Sequence, residues 1–251
     1  MQSSTHLQKG LSLIEMAIIL AIIAVLVASL LGPLAMQEEV RRVKETARRM
    51  DIIKEALLGY AMTNGRLPCP ATLSATNPND GQEDPLGGGV CTVSDGFVPA
   101  VTLGITPTDS QGYALDAWQN TLRYRISTTF SSALTTPPGS GSIADVGMNV
   151  VASSSTLLSV CDNSTGITSS SCGASNATLT STAPVVIYSL GPNRDGTGAS
   201  TDEQENLDAD VFFVSHPPTD SGSTAGEFDD VISWLSINIL FNRMVLADQL
   251  P

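Results

Sequence analysis

The densest group of side chains able to do chemistry lies late in the chain. Asp195, Asp202, Glu203, Glu205, Asp208 and Asp210 follow the apolar run Val185-Val186-Ile187-Tyr188-Ser189 and the turn residues Gly191-Pro192-Asn193. Hard carboxylate oxygens closely spaced on a loop are what Ca²⁺ selects, because that ion takes many oxygen ligands in a flexible geometry. The D-x-D-x-D-G spacing of an EF-hand is missing, and an acidic solvated loop capped by its own Asp turns is an equally open reading. Further on, Asp229-Asp230 has the form of a catalytic or metal-binding pair, although such pairs more often make a turn or a helix cap.

A second carboxylate matters because it stands alone. Glu15 is the only ionisable residue in the apolar run from Leu11 to Met36. As a helix that run would rise about 39 Å, against a hydrocarbon core of roughly 30 Å, so a transmembrane or filament-core helix is expected. A lone carboxylate in such a helix is costly in lipid and usually marks a function. The run is too long for the apolar region of a secretory signal peptide, and Gly32-Pro33 is a poor cleavage site. Gly32-Pro33 is expected instead to kink or locally melt the helix.

The residues Lys9-Gly10-Leu11-Ser12-Leu13-Ile14-Glu15-Met16 resemble the processing site of type IV pilins and related pseudopilins. The resemblance implies a leader over 1–10, cut by a prepilin peptidase directly after Gly10, and a mature N-terminus at Leu11 that is N-methylated. Leu11 departs mildly from the Phe or Met usual there. Glu15 then corresponds to the Glu that the family carries as its fifth mature residue, neutralising the α-amino group of a neighbouring subunit or of its own chain. The implied fold is α+β and pilin-like: a long N-terminal helix, apolar in its first half, packed on a small antiparallel β-sheet head with long loops. Its parts would be the leader (1–10), a transmembrane or filament-core helix (11–36), an amphipathic continuation (37–64) and an exported head (65–251). The implied partners are other pilin or pseudopilin subunits, the prepilin peptidase and, before assembly, a bacterial inner membrane crossed once with the head periplasmic. The Lys/Arg count around the apolar run argues for the opposite orientation, but the cysteines favour export.

After Met36 the spacing of Val40, Val43, Ala47, Met50, Ile53, Leu57 and Tyr60 predicts one buried helical face. Arg41, Arg42, Lys44, Glu45, Arg48, Arg49 and Glu55 would form a solvated face with ion pairs such as Glu45 to Arg49. Asn64-Gly65, with Pro68 and Pro70 beyond, marks the stop. Cys69, Cys91, Cys161 and Cys172 are expected to form disulfides; local pairing, 69 with 91 and 161 with 172, is preferred because each pair brackets a turn-rich loop. No CxxC supports a zinc site, and His216 has no partner spacing.

In the head, Phe97–Leu103 and Thr121–Ser127 read as strands, the latter alternating Leu122, Tyr124, Ile126 with Arg123, Arg125, Ser127. Residues 152–182 hold sixteen Ser/Thr and read as a long exposed insertion closed by the second disulfide. Val211–Val214 reads as a strand, and the tail as a final strand and a short helix. Within the family resemblance, a strand followed by "G-x-D-G" and "D-A-D" encloses calcium, which implies Asp195, Asp208 and Asp210 as ligands, with Asp202, Glu203 and Glu205 as further oxygens.

Composition narrows the function. The chain has 251 residues, 25 acids and 12 bases, for a net charge of −13. Residues 1–60 hold seven bases and six acids, and residues 61–251 five bases and nineteen acids. A head so acidic does not suit nucleic acid. No G-x-S-x-G, H-E-x-x-H or P-loop is present, so no enzyme class is indicated. The leading expectation is a structural subunit of a type IV pilus or type II secretion pseudopilus. The alternative is an anchored or filament-tip adhesin that binds through its Ser/Thr-rich loops.

Overall fold

The computed structural model describes residues 13–73, 80–128, 132–173, 177–194, 200–224 and 226–251, without the side chains of 28–35. Gly10, Leu11 and Asp195 lie outside the described residues. The chain divides into two compact units, one ending at Arg42 and one from Val43 to Pro251.

The first element, α1 (Leu13–Asn64), contributes to both units. Its helical assignment runs through Gly32-Pro33 without a break. It stops at Gly65, whose φ of 67° is the left-handed conformation that a glycine adopts without a Cβ clash. The Gly65 amide donates back to the Ala61 carbonyl at 2.9 Å. In the first unit the large apolar side chains from Leu13 to Val27 are exposed, Leu13 at 88% and Val25 at 70%. Glu38 joins Arg41 and Arg42 at 2.7 and 3.2 Å. Hydrogen bonds from the two guanidiniums hold its carboxyl down at about 2.

In the second unit α1 buries Met50, Ile53, Leu57, Leu58 and Ala61. They pack on a four-stranded antiparallel sheet ordered β1-β2-β5-β7, made of Asp95–Phe97, Arg123–Ile126, Val185–Ser189 and Val231–Leu235. The period-two alternation explains the layering: Leu122, Tyr124 and Ile126 join the α1 core, with Val185 and Ile187 of β5. The opposite face of β5, Val186 and Tyr188, packs on Leu158, Val160 and Phe213 of a second sheet. That sheet is ordered β4-β3-β6, from Thr178–Ala183, Leu158–Cys161 and Phe212–Val214. Thus β5 is buried along its length, as a continuous apolar run requires. Short helices α2 (Ala100–Leu103), α3 (Ile143–Val146), α4 (Met148–Ala152) and α5 (Thr201–Glu205) punctuate the loops, and α6 (Ile237–Leu246) closes the chain.

The expected architecture needs correction. Among the described residues no helix is long and apolar enough to cross a membrane. Nor is the head one small antiparallel sheet. It has two sheets, and β3 and β6 run parallel. The Ser/Thr-rich segment 152–182 is no mere exposed insertion, because it supplies β3, whose four residues are all buried. Phe97–Leu103 is a strand end followed by the helical turn α2, since Pro99 cannot extend a ladder and serves as the N-cap. Val40 and Ala47, expected on the buried face of α1, are exposed.

Both disulfides pair locally, Cys69 with Cys91 and Cys161 with Cys172, leaving no free cysteine. Such bonds persist in an oxidising compartment. The first bridges a loop anchored by a buried ion pair, Arg66 to Glu83, in two hydrogen bonds of 2.7 Å. Glu83 also accepts from the Tyr60 hydroxyl and the Cys69 and Gly87 amides. A Cβ at Gly88 (φ 80°) would collide with the Arg66 guanidinium, so the loop needs glycine there.

Candidate acidic cation site

The loops between β5 and β7 hold two groups of carboxylates. Ser200 caps α5 by accepting from the Glu203 amide at 3.3 Å, which turns Asp202 and Glu203 inward, where both are buried. Glu203, Asp229 and Asp230 can bring one ligand oxygen each within 4.8 Å of one another. Glu203 accepts from the Asp229 amide at 3.0 Å and from the Asn193 side chain at 3.4 Å. Asn206 donates to Asp230 at 2.7 Å and to the Val214 carbonyl at 3.2 Å, while its oxygen accepts from the Val214 amide at 2.8 Å. One side chain thereby ties the start of β7 to the end of β6. Gly191 (φ 62°) lies against this group, and a Cβ there would collide with the Asp229 carboxylate.

Burial pushes the Asp230 carboxyl up to about 8; the charges of Glu203 and Asp229 add to it, and the Asn206 hydrogen bond only partly opposes them. Three acids packed together in this way repel one another unless a proton or a cation intervenes.

Glu205, Asp208 and Asp210 form the second group, again with ligand atoms within 4.8 Å of one another. The turn that joins them passes through Ala209 at φ 65°, a left-handed conformation disfavoured for a residue with a Cβ. Asp208 accepts from the Asp210 amide at 3.1 Å and Asp210 from the Phe212 amide at 2.6 Å, so each retains an oxygen for another partner. Arg125 donates to the Ala209 carbonyl at 2.7 Å and fastens the turn to β2. Burial, followed by the charges of Asp208, Asp210 and Asp202, raises Glu205 to about 7.

Of the acids expected as ligands, the fold brings Glu205, Asp208 and Asp210 together. Asp202 belongs to neither group: it accepts from the Ser164 amide at 2.7 Å and contacts His216 Nε2 at 3.2 Å. His216 is itself stacked on Phe228, with ring centroids 3.9 Å apart. Asp195 is outside the described residues. The group that sequence spacing missed is Glu203 with Asp229-Asp230, because its members are joined only by the folding of β6 and β7. The one signal was the Asp-Asp pair itself.

Either acidic group can hold a divalent cation through hard oxygen donors, whereas no thiolate or imidazole cluster competes among the described residues. Glu15, expected to act in assembly, lies in the first turn of α1 and is exposed. No family model, no curated protein and no solved structure matches the chain.

Proposed function

We propose that the chain is a structural, non-catalytic subunit of a type IV pilus-like or pseudopilus-like filament, cleaved after Gly10 and held to its neighbours through the N-terminal helix. The observation that carries this reading is the band of exposed apolar side chains from Leu13 to Val27. Leu13, Ile14, Ile18, Leu20, Ile23 and Val25 stand on several sides of the helix, and an apolar surface of that extent needs a cover. In a filament the cover is the same helix of other copies. Glu15, inside the band, would meet the new α-amino group at Leu11 and set the axial register. The acidic head would face water. Its disulfides suit a periplasmic or extracellular location, with the prepilin peptidase and inner-membrane lipid as earlier partners of the apolar segment.

Calcium belongs to the same reading as the resident of an acidic group between β5 and β7. Burial raises the Asp230 and Glu205 carboxyls, and the neighbouring acids of each group add to it; a divalent cation relieves that repulsion.

Mass spectrometry of the mature protein tests the assembly reading. The expected product lacks residues 1–10 and carries a methyl group on the Leu11 nitrogen. An intact N-terminus, or cleavage elsewhere, overturns it.

A further inference from the structure

One cation in the head differs from its neighbours. Five arginines face nineteen acids after residue 60, and three of them sit on carboxylates: Arg66 on Glu83 at 2.7 Å, Arg125 on Asp95 at 3.7 Å and Arg243 on Glu55 at 4.0 Å. Arg123 has no carboxylate within ion-pair distance among the described residues. Its Nε donates to the Tyr188 hydroxyl at 3.4 Å, and its guanidinium lies 5.2 Å from the Phe97 ring centre and 5.8 Å from that of Tyr188. Asp95, across the β1–β2 ladder, is occupied by the Tyr188 hydroxyl at 2.9 and 3.0 Å and by Arg125. Two rings and a hydroxyl therefore hold the guanidinium in place, while its terminal nitrogens make no hydrogen bond among the described residues.

Arg123 lines a cavity of about 320 Å³ together with Phe97, Gln111, Tyr113, Thr121 and Leu190, a volume suited to a small ligand. The Gln111 side-chain amide and the Thr121 hydroxyl likewise have no hydrogen-bond partner among the described residues. Asp109, an acid in the lining, accepts from the Gln111 and Tyr113 amides at 2.9 Å each through one oxygen and thereby shapes the wall. The Asn120 side chain donates to the Gly191 carbonyl at 2.8 Å. Arg194 adds a second positive charge to the lining.

We infer that this cavity binds a carboxylated sugar, a uronic-acid type of residue. A fixed guanidinium edge matches a planar carboxylate with two parallel hydrogen bonds. Gln111 and Thr121 offer donors and acceptors for ring hydroxyls, and Phe97 and Leu190 offer an apolar wall for the C–H face. A simple anion such as phosphate would use the charge and leave the amide, the hydroxyl and the wall idle. The site lies on β1, β2 and the loop after β5, and it does not depend on the filament reading.

Calorimetric titration of the full chain with glucuronate, glucose, N-acetylalanine and phosphate tests the inference. Glucuronate binds; glucose binds at least about tenfold more weakly, the discrimination that one bidentate charged pair supplies, and N-acetylalanine and phosphate bind more weakly because they leave Gln111, Thr121 and the apolar wall unused. Arg123→Gln reduces glucuronate to the level of glucose. Gln111→Ala, a change at an exposed loop position, weakens glucuronate by about threefold with an unchanged melting temperature. Absence of glucuronate binding overturns the proposal, as does equal binding of glucose. Equal binding of N-acetylalanine or phosphate overturns it in favour of a peptide-terminus or a simple anion site. Should Arg123→Gln fail to fold, undiminished binding in Gln111→Ala overturns it.

Discussion

Glu83 and Asp230 are two carboxylic acids with the same burial and opposite fates. Their exposures are 4% and 5%. Burial pushes both upward, but around Glu83 the Arg66 guanidinium, the Tyr60 hydroxyl and the Cys69 amide outweigh it, and the carboxyl ends below its ordinary value. Around Asp230 the neighbours are Glu203 and Asp229, and the carboxyl ends at about 8. Burial alone thus does not decide whether an acid is charged; the company it keeps does. The first site is a finished internal ion pair that fixes a disulfide loop. The second is a set of acids whose ligand atoms are close enough to hold a metal ion, and one of them is pushed towards its protonated form.

The most damaging way to break the comparison is to make Glu83 resemble Asp230. Arg66→Ala leaves a buried carboxylate whose charged partner is gone, and loss of one member of such a pair destabilises by about 3–5 kcal/mol. Urea unfolding of the variant measures it. A loss below about 1 kcal/mol would show that Tyr60 and the backbone amides suffice for Glu83.

Next comes pH. A carboxyl raised from 3.8 to about 8 in the fold keeps its proton in the native state while the unfolded chain releases it. The native state then binds more protons, so this contribution to stability is present below about pH 4 and declines as pH rises towards 8. Glu205, raised to about 7, acts in the same direction. With a chelator present, the melting temperature is expected to fall between pH 5 and pH 8. Asp230→Asn, which keeps the shape without the charge, flattens much of that fall and is more stable than the parent at pH 8 by about 1–3 kcal/mol. A parent more stable at pH 8 than at pH 5 contradicts the assignment.

The cation offers the same relief as the proton. At a hundredfold excess over its Kd, calcium is expected to stabilise the protein by about 2.7 kcal/mol at pH 8, read as a rise in melting temperature that the chelator reverses. Glu203→Gln and Asp208→Ala separate the two groups: the variant that abolishes the rise names the ligand set. No response to calcium or chelator in the parent retires calcium from both.

How much of this was legible in the chain depends on range. The strand Val185–Ser189, the alternation of Leu122, Tyr124 and Ile126, the stop at Gly65, both disulfides and the closing strand and helix are local patterns, and each was readable. The Ser/Thr count over 152–182 hid Leu157, Leu158 and Val160, because a few apolar residues make a buried strand once a neighbour covers them. Glu203 and Asp229-Asp230 are far apart in sequence, so no spacing rule could join them. Arg123 sat on the polar face of a well-read strand. Nothing local distinguished it from Arg125, since the difference lies in which arginine received the carboxylate of Asp95. The apolar run around Glu15 was legible as a helix with an apolar surface, whereas among the described residues no helix is long and apolar enough to cross a membrane.

The mildest test moves the comparison to the surface, where one acid serves two arginines. Glu45 joins Arg48 and Arg49 at 3.1 Å each, and hydrogen bonds from both lower its carboxyl. Arg48 is 68% exposed and makes only this ion pair among the described residues, whereas Arg49, 19% exposed, also donates to the Leu115 and Asp116 carbonyls at 2.9 and 2.6 Å. Water screens the first pair, and ordering two long side chains offsets what attraction is left. Arg48→Ala should therefore leave the melting temperature within about 1 °C of the parent. Arg49→Ala should lower it by several times that, because it strips two carbonyls of a charged donor at the turn that Asp116 organises with the Trp118 and Asn120 amides. If the two variants melt alike, the strength of an ion pair in this protein follows distance rather than surroundings, and the contrast between Glu83 and Asp230 loses its explanation.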